Sequence, residues 1–325
     1  MVIPRHAGSG PAAGMLLLMI CLTLSGCGAL VKDERPWPAG APPQSVVTGV
    51  PFFPQEQYQC GPAALAMALR WSGLTINPED LAPEVYSPGQ RGSLQTALIT
   101  GARRHGRIAY PISGSKSLLT ELAAGHPVIV LMNLSFFWYP KWHYAVAIGF
   151  DQPADEIILH SGQISNERLP LRIFENLWAR SQRWGLLVLP LAMLPAQAEE
   201  VNWLQATMGL ERAGQNAAAV TAYETALTRW PASFGAWLGL GNSRYATGNL
   251  AEAAAAFQEA TRLQSTSGAA FNNLAQVLWE MGRQEEAMAA ARQAVALGGP
   301  LLETFRQTLA DIEGPTGHPA AGRRP

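Results

Sequence analysis

Apolar positions between about residues 45 and 190 follow two different spacings. Apolar residues at 64, 65, 68 and 69 recur at helical intervals, and Gly73 marks the end of that helix. Similar patterns predict helices over residues 93–104, 117–124 and 170–180, and short apolar runs predict strands over residues 45–53, 128–134, 144–150, 156–160 and 184–189. Helices that precede a mostly antiparallel sheet are typical of the α+β class.

From about residue 198 the pattern becomes Ala-rich and wholly helical, with an internal period of 34 residues. The recurring positions are Gly214, Gly248 and Gly282; Ala219, Ala253 and Ala287; Ala226, Ala260 and Ala294; and Trp203, Trp237 and Phe271. Small residues at fixed places let the two helices of a hairpin approach closely. The pattern resembles tetratricopeptide repeats, three of them over residues 199–297, with a capping helix over 300–313. An all-α solenoid is therefore expected over 198–313, after an α+β domain over 45–190.

Composition narrows the class of protein. The chain has 325 residues, 48% of them hydrophobic and 14% charged, which is typical of globular domains rather than disordered ones. The formal net charge is −1, and no concentrated run of Lys and Arg is present. A nucleic-acid partner is therefore not expected.

The N-terminal segment has the features of a targeting signal. Residues 15–24 form an apolar run that is too short to span a bilayer, and Leu24-Ser25-Gly26-Cys27 follows it. This arrangement resembles the lipobox of bacterial lipoproteins, which implies a signal peptide over 1–27 and a lipid on Cys27. An ordinary cleaved signal or a core helix is the alternative. Gly28, where Asp would resemble an inner-membrane retention signal, favours the outer membrane facing the periplasm.

The flanking segments complete this scheme. The Pro-rich residues 28–44 are expected to form an extended tether between lipid and domain, and residues 314–325 a disordered tail. Among the three cysteines, Cys21 would leave with the signal peptide and Cys27 would carry lipid. Cys60 would then be the lone thiol, which makes an internal disulfide impossible.

Cys60 lies where a loop is predicted to turn into a helix. The helix N-terminus is expected to lower the pKa of its thiol, and Gly61 would allow close backbone approach at an oxyanion hole. Gln55 could supply a second oxyanion donor, with Gln57 as the competing choice. His143 begins an apolar strand run and could face a cleft. The alternative is that Cys60 is a buried small hydrophobe.

Together, Gln55, Cys60-Gly61-Pro62-Ala63 and the later His143-Tyr144 run resemble papain-fold cysteine peptidases of the bacteriocin-processing, double-glycine type. The resemblance covers about residues 50–189. It implies that Cys60 is the nucleophile, His143 the general base and acid, and Gln55 the oxyanion donor. No cofactor is implied.

One departure from that family concerns the group that orients the histidine. The family carries an Asp on the next strand, where this chain has Ser161 within Leu159-His160-Ser161-Gly162. Asp151 lies eight residues along the strand from His143, about 26 Å at the rise of a strand, and is too far to substitute. Ser161 and Gln163 would share one face of the strand and His160 would take the other, and the exact register decides which of them points at His143. A zinc site on Cys60, His143 and His160 lacks a fourth ligand and is not favoured.

Three functions remain open from the sequence. The first is a peptidase acting on envelope proteins, with repeats that recruit a protein substrate or partner. The second is a thiol-dependent acyl or peptidyl transferase, and the third is a weakly active or inactive scaffold. The aromatic run over residues 136–142 is expected either to pack as a loop or to form a wall of the substrate cleft.

Overall fold

The structure is a computed structural model that describes residues 37–55 and 59–314. The predicted signal peptide, Cys27, Gln57 and nearly all of the C-terminal tail lie outside the described residues. Within the described ranges, no helix is both long enough and apolar enough to cross a membrane.

Residues 44–189 combine seven strands with five α-helices. The strands are β1 Gln44–Val46, β2 Ile108–Ser113, β3 Val128–Asn133, β4 Trp142–Asp151, β5 Glu156–Ser161, β6 Ile164–Pro170 and β7 Trp184–Leu189. The α-helices are α1 Cys60–Trp71, α2 Pro78–Val85, α3 Gln95–Arg104, α4 Ser115–Ala123 and α5 Leu171–Trp178. Short 3₁₀ turns cover Pro88–Gln90 and Ala179–Ser181.

All strand pairs are antiparallel, in the order β2-β7-β3-β4-β5-β6, with β1 pairing with β4. Alternate residues of the central strands face opposite sides of the sheet. Val128 and Val130 of β3 belong to one hydrophobic cluster, whereas Ile129 belongs to the cluster that contains α1. The sheet is therefore covered on both faces, which confirms the predicted α+β class.

The C-terminal half is helical throughout. Three antiparallel helix pairs are followed by a single helix. These elements are α6 Glu200–Arg212 with α7 Asn216–Arg229, α8 Phe234–Ala246 with α9 Leu250–Leu263, α10 Gly268–Glu280 with α11 Gln284–Leu297, and α12 Leu302–Glu313. Gly214, Gly248 and Gly282 have φ values of 74°, 84° and 76°, so each supplies the left-handed turn inside its pair. The predicted helical repeat region is confirmed, and α12 lies where a capping helix was predicted.

One hydrophobic cluster runs from the sheet into the first repeats. It contains Val47, Tyr110 and Phe150 from the first half together with Trp203, Leu210 and Ala256 from the second. Hydrogen bonds cross the same junction: Glu121 carboxylate oxygens accept from the backbone N–H groups of residues 196 and 197, at 3.1 and 3.2 Å. The array packs directly against the sheet and shares its core.

Three elements were absent from the sequence-based prediction. β6 has alternating exposed and half-buried residues and no apolar face, and β2 and α2 contain Pro111 and Pro83 within them. The proline in α2 is tolerated because this helix is only eight residues long. The sheet is therefore wider than the hydrophobic pattern alone indicated.

Candidate active site

A cleft of about 1370 Å³ opens at one end of the sheet. It is lined by Gln55, Cys60 and His143, by residues 90–95 before and at the start of α3, by the β3–β4 loop, and by Arg180, Ser181, Gln182 and Trp184. Three residues that are far apart in the sequence, and that the motif analysis singled out, thus line the same cavity.

Cys60 is the first residue of α1 and is a free thiol. A Cβ atom on Gly61 would collide with the Ser93 side chain, so only glycine lets this segment approach the helix start so closely. Backbone N–H groups of Tyr144, Gly61 and Cys60 itself face the sulfur. The sulfur therefore lies against the beginning of β4, next to His143.

The expected lowering of the Cys60 pKa is wrong. Burial raises the pKa of the thiol above its ordinary value, and the three N–H groups only partly offset that effect. The charge of the Cys60 sulfur also contributes, after burial, to a raised pKa of the Tyr144 phenol. A neutral thiol is therefore the resting form of Cys60.

His143 is the second residue of β4 and faces the cleft. Its Nε2 atom lies 3.1 Å from the Ser161 hydroxyl oxygen at the end of β5. Burial, assisted by the nearby charge of Lys141, lowers the pKa of the imidazole to about 4. At neutral pH the ring is uncharged and can accept a proton.

A bulge in β4 decides which residue of β5 meets His143. Gly149 pairs with Ile158, but Ala147 pairs with Leu159, so Ile148 is an extra residue on β4. Without it, His143 would share a face with His160. With it, His143 shares a face with Ser161 and Gln163, since side chains alternate along each strand.

Gln55 is held by the turn between β5 and β6. Its backbone N–H donates to the Gly162 carbonyl at 2.9 Å, and its side-chain Oε1 accepts from the Gly162 N–H at 3.1 Å. Gln163 Nε2 donates to the Gln55 carbonyl at 2.7 Å. Because Oε1 faces a donor, the amide orientation is defined, and Nε2 must point elsewhere.

The Nε2 group of Gln55 is buried and has no hydrogen-bond partner within the described part of the chain. The residue is 6% exposed. A buried donor without a partner is costly, and such groups are uncommon in folded proteins. This unpartnered donor lies in the same cleft as the Cys60 thiol.

Other sequence candidates lie elsewhere. Asp151 is at the far end of β4, where its carboxylate accepts from Gln44 at 3.0 Å and contacts Arg168 at 3.2 Å. His160 contacts the Val50 carbonyl and the Asn166 N–H. Between residues 37 and 314, leaving out 56–58, no group of three potential metal ligands is present.

The sulfur of Cys60 and the His143 ring form no hydrogen bond with each other in the described structure. Hydrogen bonds between catalytic groups often tighten only when a substrate is bound. Sequence reasoning missed two supporting residues, Tyr144 and Ser93. Tyr144 was visible only as the apolar neighbour of His143, and its hydroxyl donates to the Ser93 carbonyl at 3.1 Å.

The aromatic run forms the exposed β3–β4 loop. Phe137 and Trp138 are 88% and 77% exposed, and the rings of Phe136 and Trp138 stack with centroids 5.0 Å apart. Tyr139 and Trp142 line the cleft. The end of the run therefore forms part of the cleft wall, while Phe136, Phe137 and Trp138 are exposed outside the cleft lining.

Comparison with known proteins finds one family that matches the sheet half and another that matches the helical half. The model of the Peptidase_C39 like family matches residues 47–184, and tetratricopeptide repeat models match residues 208–268 and 269–297. The chain thus contains a C39-like peptidase domain followed by tetratricopeptide repeats. No curated protein matches it.

Several solved structures are similar to one half of the chain or the other. A putative C39-like peptidase from Bacillus anthracis is 18% identical with a TM-score of 0.38, covering 45% of this chain and 97% of that one. The peptidase domain of Streptococcus ComA is 19% identical with a TM-score of 0.37, covering 44% and 99%. The Yersinia enterocolitica chaperone SycD, in complex with a YopD peptide, is 16% identical with a TM-score of 0.34, covering 36% and 95%.

Proposed function

We propose that this protein is a cysteine peptidase that hydrolyses peptide bonds with Cys60 as nucleophile and His143 as general base and acid. One observation carries the proposal: a thiol, an uncharged imidazole and a buried amide donor without a partner line the same cleft. Each supplies a different requirement of acyl transfer, namely nucleophile, base and oxyanion donor.

The reaction follows from these groups. His143 takes the thiol proton as the Cys60 sulfur attacks the substrate carbonyl carbon. Gln55 Nε2 and backbone N–H groups at the start of α1 stabilise the oxyanion. His143 then gives the proton to the leaving amine, and an acyl-enzyme remains. Water, deprotonated by His143, hydrolyses the thioester and restores both groups.

Ser161 serves as the positioning residue for His143 in this proposal. Its hydroxyl can accept from Nε2–H and so leave Nδ1 free as the basic nitrogen. It cannot stabilise the imidazolium as a carboxylate would, because it carries no charge. We therefore expect a slower enzyme than one with a carboxylate at this place.

The location of the protein is part of the same proposal. The lipobox resemblance at Cys27 supports a lipid anchor, and the protein would then act at the bacterial outer membrane, facing the periplasm. The motifs around Gln55, Cys60 and His143 separately support a peptidase of the double-glycine type. Incorporation of labelled palmitate into the wild type and not into Cys27→Ala tests the lipid anchor. Recovery of the wild type as a lipid-free protein would overturn it.

The repeats are proposed to hold a protein substrate or partner, as helical repeat arrays commonly do. Pull-down by the wild type of a protein that is then cut in a Cys60-dependent way would support recruitment. If the repeats only brace the sheet, no such protein would be enriched over a variant lacking residues 265–325.

The decisive experiment treats the purified protein with an acyl-type thiol probe and with a peptide library. Labelling at Cys60 and cleavage of peptides are expected in the wild type. Both should be lost in Cys60→Ser, with residual cleavage below about one per cent, and probe labelling should fall in His143→Ala. Circular dichroism of both variants should match the wild type. A wild type without labelling or cleavage would favour the inactive scaffold.

A further inference from the structure

The charged residues of the cleft are all of one sign. Arg91, Lys141 and Arg180 line it, and no Asp or Glu is among its described lining residues. The three cations come from three separate segments: the turn after the first 3₁₀ helix, the end of the β3–β4 loop, and the second 3₁₀ helix. Although the whole chain has a net charge of −1, the charged residues that line this cleft are all cationic.

None of these three cations forms an ion pair with a carboxylate of the described residues. Some arginines outside the cleft do meet carboxylates: Arg168 contacts both Asp151 and Glu156, and Arg244 contacts both Glu224 and Glu252. What distinguishes the cleft is that three cations line it and no carboxylate is among its described lining residues. A like-charged cavity with apolar walls concentrates ligands of the opposite charge.

Arg180 is the most firmly placed of the three. Its Nη1 group donates to the carbonyl oxygens of Asn133, at 3.2 Å, and Ser135, at the base of the aromatic loop. The neighbouring Ser181 hydroxyl donates to the Leu131 carbonyl at 2.5 Å. These contacts satisfy part of the guanidinium and leave its charge uncompensated, so its remaining N–H groups can bind a carboxylate.

Lys141 lies two residues before His143 and is exposed at the mouth of the cleft. Its backbone N–H donates to Asn133 Oδ1 at 2.9 Å, which ties this end of the β3–β4 loop to the end of β3. Arg91 has a φ of 48° and is also exposed. Because both side chains are solvated, each is expected to contribute modestly and to be screened by salt.

We propose that this cleft selects substrates that carry a carboxylate close to the scissile bond. The inference rests on the proposed thiol peptidase function of the same cleft. The carboxylate can be an Asp or Glu side chain or the C-terminus of a short peptide. Lys and Arg at the same substrate positions should be disfavoured, because they would meet like charge without a compensating acid.

Cleavage of a proteome-derived peptide library by the wild type, with Cys60→Ser as background, measures this preference. Asp, Glu or a free C-terminus should be enriched within about four residues of the cut sites, and Lys and Arg depleted. Preferred peptides are then resynthesised with Glu→Gln or with an amidated C-terminus, which separates the two sources of the carboxylate. Cys60-dependent cleavage without such enrichment would overturn this inference and leave the peptidase proposal intact.

Variants that remove single charges from the cleft are a second test of the proposed preference for acidic substrates. Lys141→Gln and Arg91→Gln should each lower kcat/KM for an acidic substrate by about fivefold and for its Glu→Gln analogue by less than twofold. Arg180→Lys should preserve much of the preference, because the charge remains. Lys116→Gln, an exposed lysine on α4 outside the cleft, is the matched control and should change neither. Equal losses on both substrates would contradict the inference.

A binding readout keeps the inference testable if no cleavage occurs. Immobilised Cys60→Ser protein should retain acidic peptides from the library over neutral ones, and 0.5 M salt should remove most of the preference. Retention of acidic peptides without catalysis would support the cationic cleft and reject the peptidase. No retention of acidic peptides, with cleavage observed and unselective, would reject the cleft preference alone.

Discussion

The two halves of this molecule treat polar and charged groups differently. In the repeats, Arg262, Arg283, Arg292 and Arg306 each contact a glutamate, and the same glycine turn returns every 34 residues. In the sheet half, three cations lack an acidic partner, and a buried amide donor lacks any partner within the described ranges. All four of these groups line one cleft.

The repeats use one turn and one set of packing positions three times, and two buried polar atoms there, Asn272 Oδ1 and Trp279 Nε1, also have no hydrogen-bond partner among the described residues. The cleft depends on one-off devices instead: a bulge at Ile148, a glycine pressed against Ser93, and a turn that holds Gln55. Such local exceptions are the usual sign of a functional site.

The largest expected effect tests whether the two halves are independent. Removing residues 199–325 should unfold the sheet half, because Trp203 and Leu210 belong to the same hydrophobic cluster as Tyr110. We expect loss of a cooperative thermal transition and of probe labelling. The control removes residues 265–325 only, which leaves every member of that cluster in place. A truncated 37–198 fragment that melts cooperatively would refute the shared-core interpretation.

Trp203→Ala tests the shared core of the two halves with a single substitution. Trp203 is fully buried, and its Nε1 donates to the Ala222 carbonyl at 2.9 Å. Its loss should lower the free energy of unfolding by about 3–5 kcal/mol. Phe271, at the same position two repeats later, is half-buried and lies outside that cluster, so Phe271→Ala is the matched control, with a smaller expected loss. Urea denaturation measures both, and equal losses would show that the junction contributes nothing special.

Gln55→Glu tests the amide without a partner. A carboxylate keeps an acceptor for the Gly162 N–H but removes the donor, so kcat should fall by about 10²–10³-fold. Simple alkylation of Cys60 by iodoacetamide needs no oxyanion donor and should be nearly unchanged. Gln90→Glu places the same charge elsewhere in the cleft as a control. If alkylation falls along with kcat, Gln55 maintains the fold of the site rather than the reaction.

Ser161→Asp has the smallest expected effect, and its direction is a gain. A carboxylate beside His143 should raise the pKa of the imidazole above about 4 and stabilise the imidazolium, so kcat/KM at pH 7 should rise by about tenfold. Activity requires neutral His143, and in the wild type it should therefore rise as pH increases through about 4. In Ser161→Asp this acid limb should move to higher pH.

Ser161→Asn is the uncharged control for that substitution and should leave the acid limb near pH 4. The profiles are measured as kcat/KM against pH with one substrate. An acid limb that does not move in Ser161→Asp would mean that residue 161 does not control the charge on His143.

Much of the fold could be predicted from the sequence because the patterns of apolar and small residues that specify it lie within single stretches of chain. The helical spacing in α1 and the 34-residue period of the repeats each occur within one stretch of chain. β6 could not be predicted, since its Ile164–Pro170 sequence pairs with β5 through the backbone and has no apolar face. Its existence depends on β5 being at the sheet edge.

The candidate active site could also be predicted only in part from the sequence. Cys60, His143 and Gln55 could be chosen from motif and spacing, but the choice between Ser161 and its neighbours depended on strand register. That register is set by the extra residue Ile148, beside Gly149, where a Cβ would collide with the Ser45 carbonyl of β1. A contact between segments about 100 residues apart leaves no local pattern.

The cluster that joins the sheet to the repeats also bears on how the chain is made. Its members extend from Val47 to Ala256, whereas the last strand of the sheet ends at Leu189. A ribosome adding about 5–20 residues per second needs about 3–13 s to add the residues from Leu189 to Ala256. Through that interval only α4 and α5 cover this face of the sheet, and the part that packs against the repeats is exposed, as are the unpaired sheet edges. The nascent chain is therefore a natural client for chaperones, and its yield in cells should depend on their supply more than on the stability of the finished protein.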